Sequence, residues 1–449
     1  MAAAVSGLPK VQQEPSEALR IVADNNAAEN VPKDEPRVSS SEYVVSIKEQ
    51  LKQSRQDDVE SSWVKLSIYR IPDYLKDGDK KAYVPQIVSL GPYHHGKDHL
   101  RRMDQHKLRC LRCILERSHH EIDLYLDSMK EVEQRARSCY DETISMSSDK
   151  FTQMMVLDGC FVIELLRGGT EGFENLGYPS NDPVFSTWGL MLKIQIQRDM
   201  ILLENQIPLF ILDQLLGLQL GKPDQKGLVG KLVLEFFDLI GDEQVKFDPL
   251  PDQGVLHCLE VIWQSFLPSG LERTRTNVWW PDRRPFIPCL TELVEAGIKF
   301  RWRNVKNLGD IKFQLENGIL EIPSIKIHQG TRSLFLNLMA FEQSHFNCAS
   351  HITSYVIFMH NLIKSPEDVQ YLRNRRIIQH CLGRDAEVAD LFQRLCQEVP
   401  FKVQISYLWD SKYFDNPWSI ISFIAAVVLL VLTFLQALYA VYGYYNPYS

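Results

Sequence analysis

The chain lacks most of the signals that announce a reaction. It has no G-x-x-x-x-G-K-[ST] loop, no strand-linked G-x-G-x-x-G and no G-x-S-x-G elbow, so no motif cradles a nucleoside phosphate or presents a serine nucleophile. It lacks an excess of positive charge. Lys and Arg number 49 against 57 Asp and Glu, a formal net charge of -8, whereas nucleic-acid binders ordinarily carry a basic balance; no nucleic-acid partner is expected. The opening MAAAVSGLPKVQQEPSEALR has no continuous apolar core and does not read as a signal peptide. No Asn-x-Ser/Thr sequon occurs, and nine irregularly spaced cysteines do not form a secreted disulfide framework. Alternating βαβ units and repeats of fixed period are also missing. These absences point to a cytosolic body without a dinucleotide-type fold.

Charge itself runs out at Asp415. The stretch WSIISFIAAVVLLVLTFLQALYAVYGYY, 418–445, is longer than the roughly 20 apolar residues a membrane-crossing helix needs. Ile420 and Leu430 belong to its apolar run, Trp418 marks one end, and Tyr439 and Tyr442 mark the other, where amphipathic rings settle at the lipid boundary. The lipid bilayer is therefore an expected partner. Lys402 and Lys412 precede the span and nothing basic follows it, so the positive-inside rule puts the body in the cytosol, in the manner of a tail-anchored protein. The span's length favours the thicker plasma membrane. Ser422 and Ala426 form a small-xxx-small pair that offers a route to oligomers through helix association.

Three regions are expected. Residues 1–38, rich in Ala, Glu, Asn and Pro, bury too little to order themselves. Residues 39–415 form a helix-rich domain, with an N-capped helix near Glu42–Gln53. Residues 416–449 are the anchor and a short tail. Within the domain, residues 68–95 are Pro- and Gly-rich and read as irregular chain. One long helix is expected over Asp104–Arg137, with Leu108, Leu111, Leu115, Ile122, Tyr125, Met129 and Val132 as its apolar stripe. Apolar helices follow at Phe151–Leu166 and Leu190–Leu216, the second kinked or restarted at Pro208. Further helices are read at Leu228–Ile240, Val255–Leu267 and Pro288–Ala296. Alternation at Ile298–Arg303 and Ile311–Glu316, an Asn317-Gly318 hairpin in a type I′ turn, and strands Ile319–Ile322 and Ile325–His328 make a small antiparallel sheet near 298–328. Helices resume at Arg332–His345, Ile352–Ile363, after Ser365-Pro366 as N-cap and first turn, and at Ala386–Gln397. The fold class is mainly α with a small antiparallel β-sheet (α+β), plus one C-terminal transmembrane helix.

The residues able to carry chemistry are few. His94, His95, His99 and His106 gather around a Pro-Gly turn and read as rings that tie down a loop. Cys110-x-x-Cys113 lacks a second pair and reads as inert. Glu116-x-x-His119 and Glu342-x-x-His345, with Glu164 and Glu204 between them, are the residue types of a helical di-metal site, but in the wrong order for one. Asp158, Glu164, Asp199 and Glu204 sit in apolar runs, where a carboxylate needs a partner; Arg167, Arg198 and Lys193 are the candidates. Arg273, Arg275, Arg283 and Arg284 around Trp279-Trp280 read as a local or protein-binding contact. No catalytic, cofactor-binding or metal residue is assigned, and no cofactor is expected.

IYRIPDYL (68–75), YVPQIVSLGPYHHG (83–96), VLDGCFVIELLR (156–167), RDMILLENQIPLFIL (198–212), IPSIKIHQGTRSLFLNLMAFEQSH (322–345) and NPWSIISF (416–423) resemble, in order, the plant family called domain of unknown function 247. The resemblance implies a helix-rich body with a C-terminal span and supplies no activity and no catalytic residues. Some grass members are implicated in pollen–stigma self-recognition, a role no residue here assigns to this chain. The reading is a membrane-tethered plant protein, non-enzymatic, acting in recognition or signalling. The alternative is a membrane-associated hydrolase or transferase of unrecognised type.

Overall fold

The computed structural model describes residues 45, 47–48, 66–186, 190–222, 227–237, 257–267, 288–305, 307–345 and 348–398. In the first 60 residues only Val45, Ile47 and Lys48 are described; they are helical and exposed. The expected disorder of 1–38, the arginine–tryptophan stretch 273–284 and the anchor 416–449 lie outside the described residues. Among those described, no helix is long and apolar enough to cross a membrane.

Twelve α-helices of six residues or more are among the described residues. In chain order they are α1 (Asp104–Ser118), α2 (Ile122–Arg137), α3 (Ser148–Arg167), α4 (Leu190–Met200), α5 (Leu209–Leu220), α6 (Leu228–Phe236), α7 (Cys258–Ser265), α8 (Leu290–Glu295), α9 (Thr331–Ser344), α10 (His351–Leu362), α11 (Pro366–Asn374) and α12 (Asp385–Gln397). α3 is buried on nearly every side and packs against α1, α2, α5 and α6, as a helix apolar all round must. Gly159 lets α5 close on it: a Cβ there would meet Leu215 Cδ1 at 2.4 Å. α9, α10, α11 and α12 pack together in the C-terminal part, and one hydrophobic core runs from Ile68 to Leu395.

The mainly helical α+β reading holds, with corrections. The long helix 104–137 is two helices. His119 takes a left-handed φ of 56° and ends α1, so the apolar stripe is shared between two axes. Leu111, Tyr125 and Met129 are buried, while Leu108 is 55% exposed; the stripe serves internal packing. Pro208 does restart a helix, as the N-cap of α5, after the irregular turn 201–208. Ser365 caps α11 with Pro366 in its first turn and Asp368 closing the capping box.

The sheet is not one antiparallel unit. β1 (Lys299–Arg303), β2 (Lys312–Gln314) and β3 (Ile319–Pro323) lie in the order β1-β3-β2, with β1 parallel and β2 antiparallel to β3. β4 (Ile325–Ile327) leaves that sheet and pairs in parallel with β5 (Ile378–His380), a strand the sequence did not announce. Period-two alternation tells which face is buried, not which strand lies alongside. The hairpin also differs. Gln314 pairs with Ile319, leaving a four-residue loop in which Gly318 has φ 59° and Asn317 has no positive φ, so the turn is not type I′.

Asp213 on α5 carries a misfit with a measurable consequence. Its Oδ1 is buried without a hydrogen-bond partner. Burial pushes the carboxyl up to about 6, opposed only by the Val229 amide. A raised acid pKa means ionisation opposes folding: there is no penalty below pH ~4, and it is complete above ~6. Asp213→Asn keeps an acceptor and is expected to gain roughly 2–3 kcal/mol at pH 7.5 and nothing at pH 4. Melting temperatures at the two pH values check this; an equal gain at both would refute the assignment.

Candidate functional site

Residues 66–91 contain only two short turns of helix, so most of their amides and carbonyls cannot satisfy one another and must find partners elsewhere. They find them in acids and amides from α3, α4 and the turn 201–208. Ile71 N donates to Glu204 Oε1 at 2.8 Å. The amides of Gln86, Ile87 and Val88 all donate to Asp199, at 2.7–3.1 Å. Leu90 N donates to Asn205 Oδ1 at 2.8 Å, and Asn205 Nδ2 returns a bond to Val88 O at 3.1 Å. Gly91 N donates to Asp158 Oδ2 at 2.9 Å. Gly91 is required there, with φ 70° and a Cβ that would lie 2.5 Å from Gln206 O.

The charges follow the same logic. Lys107, 2% exposed, pairs with Asp158 at 2.5 Å and donates to Ser89 O at 2.6 Å. Glu164 takes Arg117 at 2.5 Å and the Tyr178 hydroxyl at 2.9 Å; Arg167 stands off at 3.9 Å and turns to Glu171. Arg198 holds Asp199 at 2.7 Å. Burial pushes Asp199 up, while three amides and Arg198 pull it back. Of the partners expected from sequence, Arg198 is right and Arg167 peripheral. Lys193 belongs to no acid of this set and lies over the Phe236 ring, 5.2 Å from its centroid.

Glu204 gathers the densest set. Lys76 Nζ lies 2.6 Å from Oε1, Arg70 Nη1 3.6 Å from Oε2, and His94 Nε2 3.2 Å from Oε2, the last an ion-pair distance without a well-aligned hydrogen bond. Burial raises the carboxyl, but His94, Lys76 and the Ile71 amide outweigh it and hold Glu204 down at about 2. Lys97 Nζ is 2.7 Å from His94 Nδ1. A lysine ammonium can only donate, so Nδ1 accepts and the ring proton sits on Nε2, facing Glu204. Burial holds His94 below its ordinary value, hence neutral. His95 is exposed and His99 lies 3.3 Å from Pro85 O.

The residues of the di-metal pattern do not meet. Glu116 is exposed beside Arg112, Glu164 and Glu204 are held as above, and His345 Nδ1 lies 3.0 Å from the Tyr69 hydroxyl. Glu342 accepts from Trp263 Nε1, Ile352 N, Thr353 N and Thr353 Oγ1 at 2.7–2.9 Å, tying α7, α9 and α10 together; burial, opposed by these donors, lifts it to about 7. Among the described residues, no three His, Cys, Asp or Glu side chains converge as a metal site would require. Cys110 and Cys113 are free thiols; Cys110 is buried, and burial pushes its thiol up.

Sequence reasoning missed Arg70, Lys76, Lys97, Lys107 and Asn205. Arg70 and Lys76 lie in the irregular stretch itself and Asn205 in the irregular turn 201–208, a local signal that was available; Lys107 lies within α1 and gave none. The interlocked segments are also where this chain matches other proteins. A family model described as a plant protein of unknown function matches residues 68–411.

The chain belongs to the plant family domain of unknown function 247.

Two Arabidopsis thaliana relatives show how far the likeness extends. The UPF0481 protein At3g47200 is 31% identical over 404 residues, covering 80% of this chain and 83% of its own. The putative UPF0481 protein At3g02645 is 23% identical over 509 residues, covering 87% and 93%. No solved structure matches. The family match begins at Ile68, two residues into the clamped segment, and takes in every acid that clamps it.

Proposed function

We propose that this domain of unknown function 247 protein is a membrane-tethered, non-enzymatic recognition or signalling protein, with a cytosolic body and an anchor at 416–449. The observation that carries the reading is the uncharged run after Asp415, long enough to span a bilayer and flanked by Trp418 and by Tyr439 and Tyr442. Asp158 and Asp199 lend support, because these buried acids are occupied in holding the irregular segment. A tether raises the effective concentration of the body for neighbours on the same surface. Ser422 and Ala426 would pair copies within the membrane.

The test is alkaline carbonate extraction of membranes from plant cells expressing the full chain or a chain ending at Asp415. The full chain is expected in the pellet and the truncated one almost wholly in the supernatant. A truncated chain that stays in the pellet would overturn the anchor. Labelling of neighbours from an N-terminal proximity tag is expected to mark cytosolic proteins at one membrane; lumenal neighbours alone would reverse the topology.

A further inference from the structure

Glu204, His94 and Lys97 form a line of three: carboxylate to Nε2 at 3.2 Å, Nδ1 to amine at 2.7 Å. A base within hydrogen-bond reach of a nucleophile, itself oriented by a third group, is the general signature of an activated nucleophile. Here the outer member is an amine, and it faces solvent: Lys97 is exposed, while Glu204 and His94 are each 1% exposed. We propose that Lys97 is a reactive amine that captures a small carbonyl compound bearing an anionic group, such as a phosphate, as an imine. This goes beyond the tethered-recognition reading and does not depend on it.

The structure supplies what the step needs. His94, neutral with its lone pair on Nδ1, takes a proton from the Lys97 ammonium, and Glu204 faces the imidazolium so formed. The freed amine attacks the carbonyl carbon; the C–N bond forms, the carbonyl π pair moves to oxygen, and a proton passes from nitrogen to that oxygen. His94 then returns its proton to the hydroxyl, which leaves as water. The nitrogen lone pair forms the C=N bond as the C–O bond breaks, so one lysine ammonium and one carbonyl give one protonated imine and one water, with no oxidant or further reactant. Partial desolvation of its amine, with Arg70, Lys76 and Lys80 nearby, holds Lys97 below the ordinary lysine value against the opposing pull of Glu204. Of the charged groups that act most on Lys97, the one acid is sealed inside and the three cations are at least partly open to solvent. Glu142 and Asp73 pair with Arg70 and Lys76 from the outside, at 3.0 and 3.7 Å, and an incoming anion would compete with them.

The probe is pyridoxal 5′-phosphate, with the full-length chain in detergent micelles at pH 7.5. Borohydride reduction and peptide mass spectrometry then read the labelling rate of each lysine. Lys97 is expected to label roughly tenfold faster than exposed Lys81 and Lys150, less than the 10²–10⁴ a positioned base typically brings because the site is open to water. Unphosphorylated pyridoxal is expected to lose most of that preference. In a folded His94→Gln protein, Lys97 is expected to fall to the rate of Lys150. A wild-type Lys97 that labels no faster than Lys150 overturns the proposal, and this arm stands even if His94→Gln fails to fold. Equal preference for the two aldehydes overturns the anionic class, and undiminished labelling in folded His94→Gln overturns the role of the imidazole.

Discussion

Lys107→Met is expected to destabilise the protein by about 3–5 kcal/mol, because removing one partner of a buried ion pair leaves the other charge uncompensated. Lys107 and Asp158 are both almost fully buried and 2.5 Å apart. Without the lysine, Asp158 keeps only the Gly91 amide, and Ser89 O loses its donor. Combining Lys107→Met with Asp158→Asn removes the stranded charge and should recover a large part of the loss. The pair is thus diagnosed by the cycle rather than by the single variant. Urea unfolding of the four proteins measures it. A single-variant loss within the ±0.5 kcal/mol of an ordinary surface change would mean that the pair is not buried as described.

Asp199→Ala should cost a comparable amount, about 3–4 kcal/mol, by a different route. Three amides converge on that carboxylate, and the Val88 amide is buried, so at least one donor is left without water or partner at roughly 1–3 kcal/mol; the others and Arg198 add to it. Asp199→Asn retains one acceptor oxygen and should lose about half as much. Hydrogen exchange gives a sharper readout than stability alone: the amides of Gln86, Ile87 and Val88 should exchange faster in the alanine protein, while the α3 amides keep their relative order. Unchanged protection at these three positions would sink the clamp.

Local features survive the passage from sequence to structure. Pro208 and Ser365-Pro366 place helix starts because the missing amide and the capping hydroxyl act within one turn. Arg198 is found as the partner of Asp199 because it is the adjacent residue. The failures are failures of distance. Lys107 reaches an acid 51 positions away, Lys76 one 128 away, and Asn337 sends its amide to Ala82 O, 255 away. No spacing rule reports such pairs. β5 escaped notice because three residues carry too little alternation, and its partner β4 lies some fifty positions earlier. The break at His119 escaped because the apolar period runs on across it: Ile122, Tyr125 and Met129 continue the beat on a new axis. The buried acids were visible as anomalies, since a charge in an apolar run demands a reason; what they bind was not.

The clamp also imposes an order on synthesis. The amides of Gln86, Ile87 and Val88 are synthesised some 111–113 residues before Asp199, and Ile71 precedes Glu204 by 133. At about 5–20 residues per second, the segment waits roughly 6–25 s with its backbone donors turned to water. Throughout that interval IYRIPDYL and YVPQIVSL are an apolar, unpaired stretch projecting from the tunnel, the kind of surface that nascent-chain chaperones hold. The N-terminal family motifs are thus the earliest part of the matched region to be made, and Ala82 precedes its partner Asn337 by 255 residues. Slowing translation between residues 100 and 200 lengthens their exposure without changing a single amino acid.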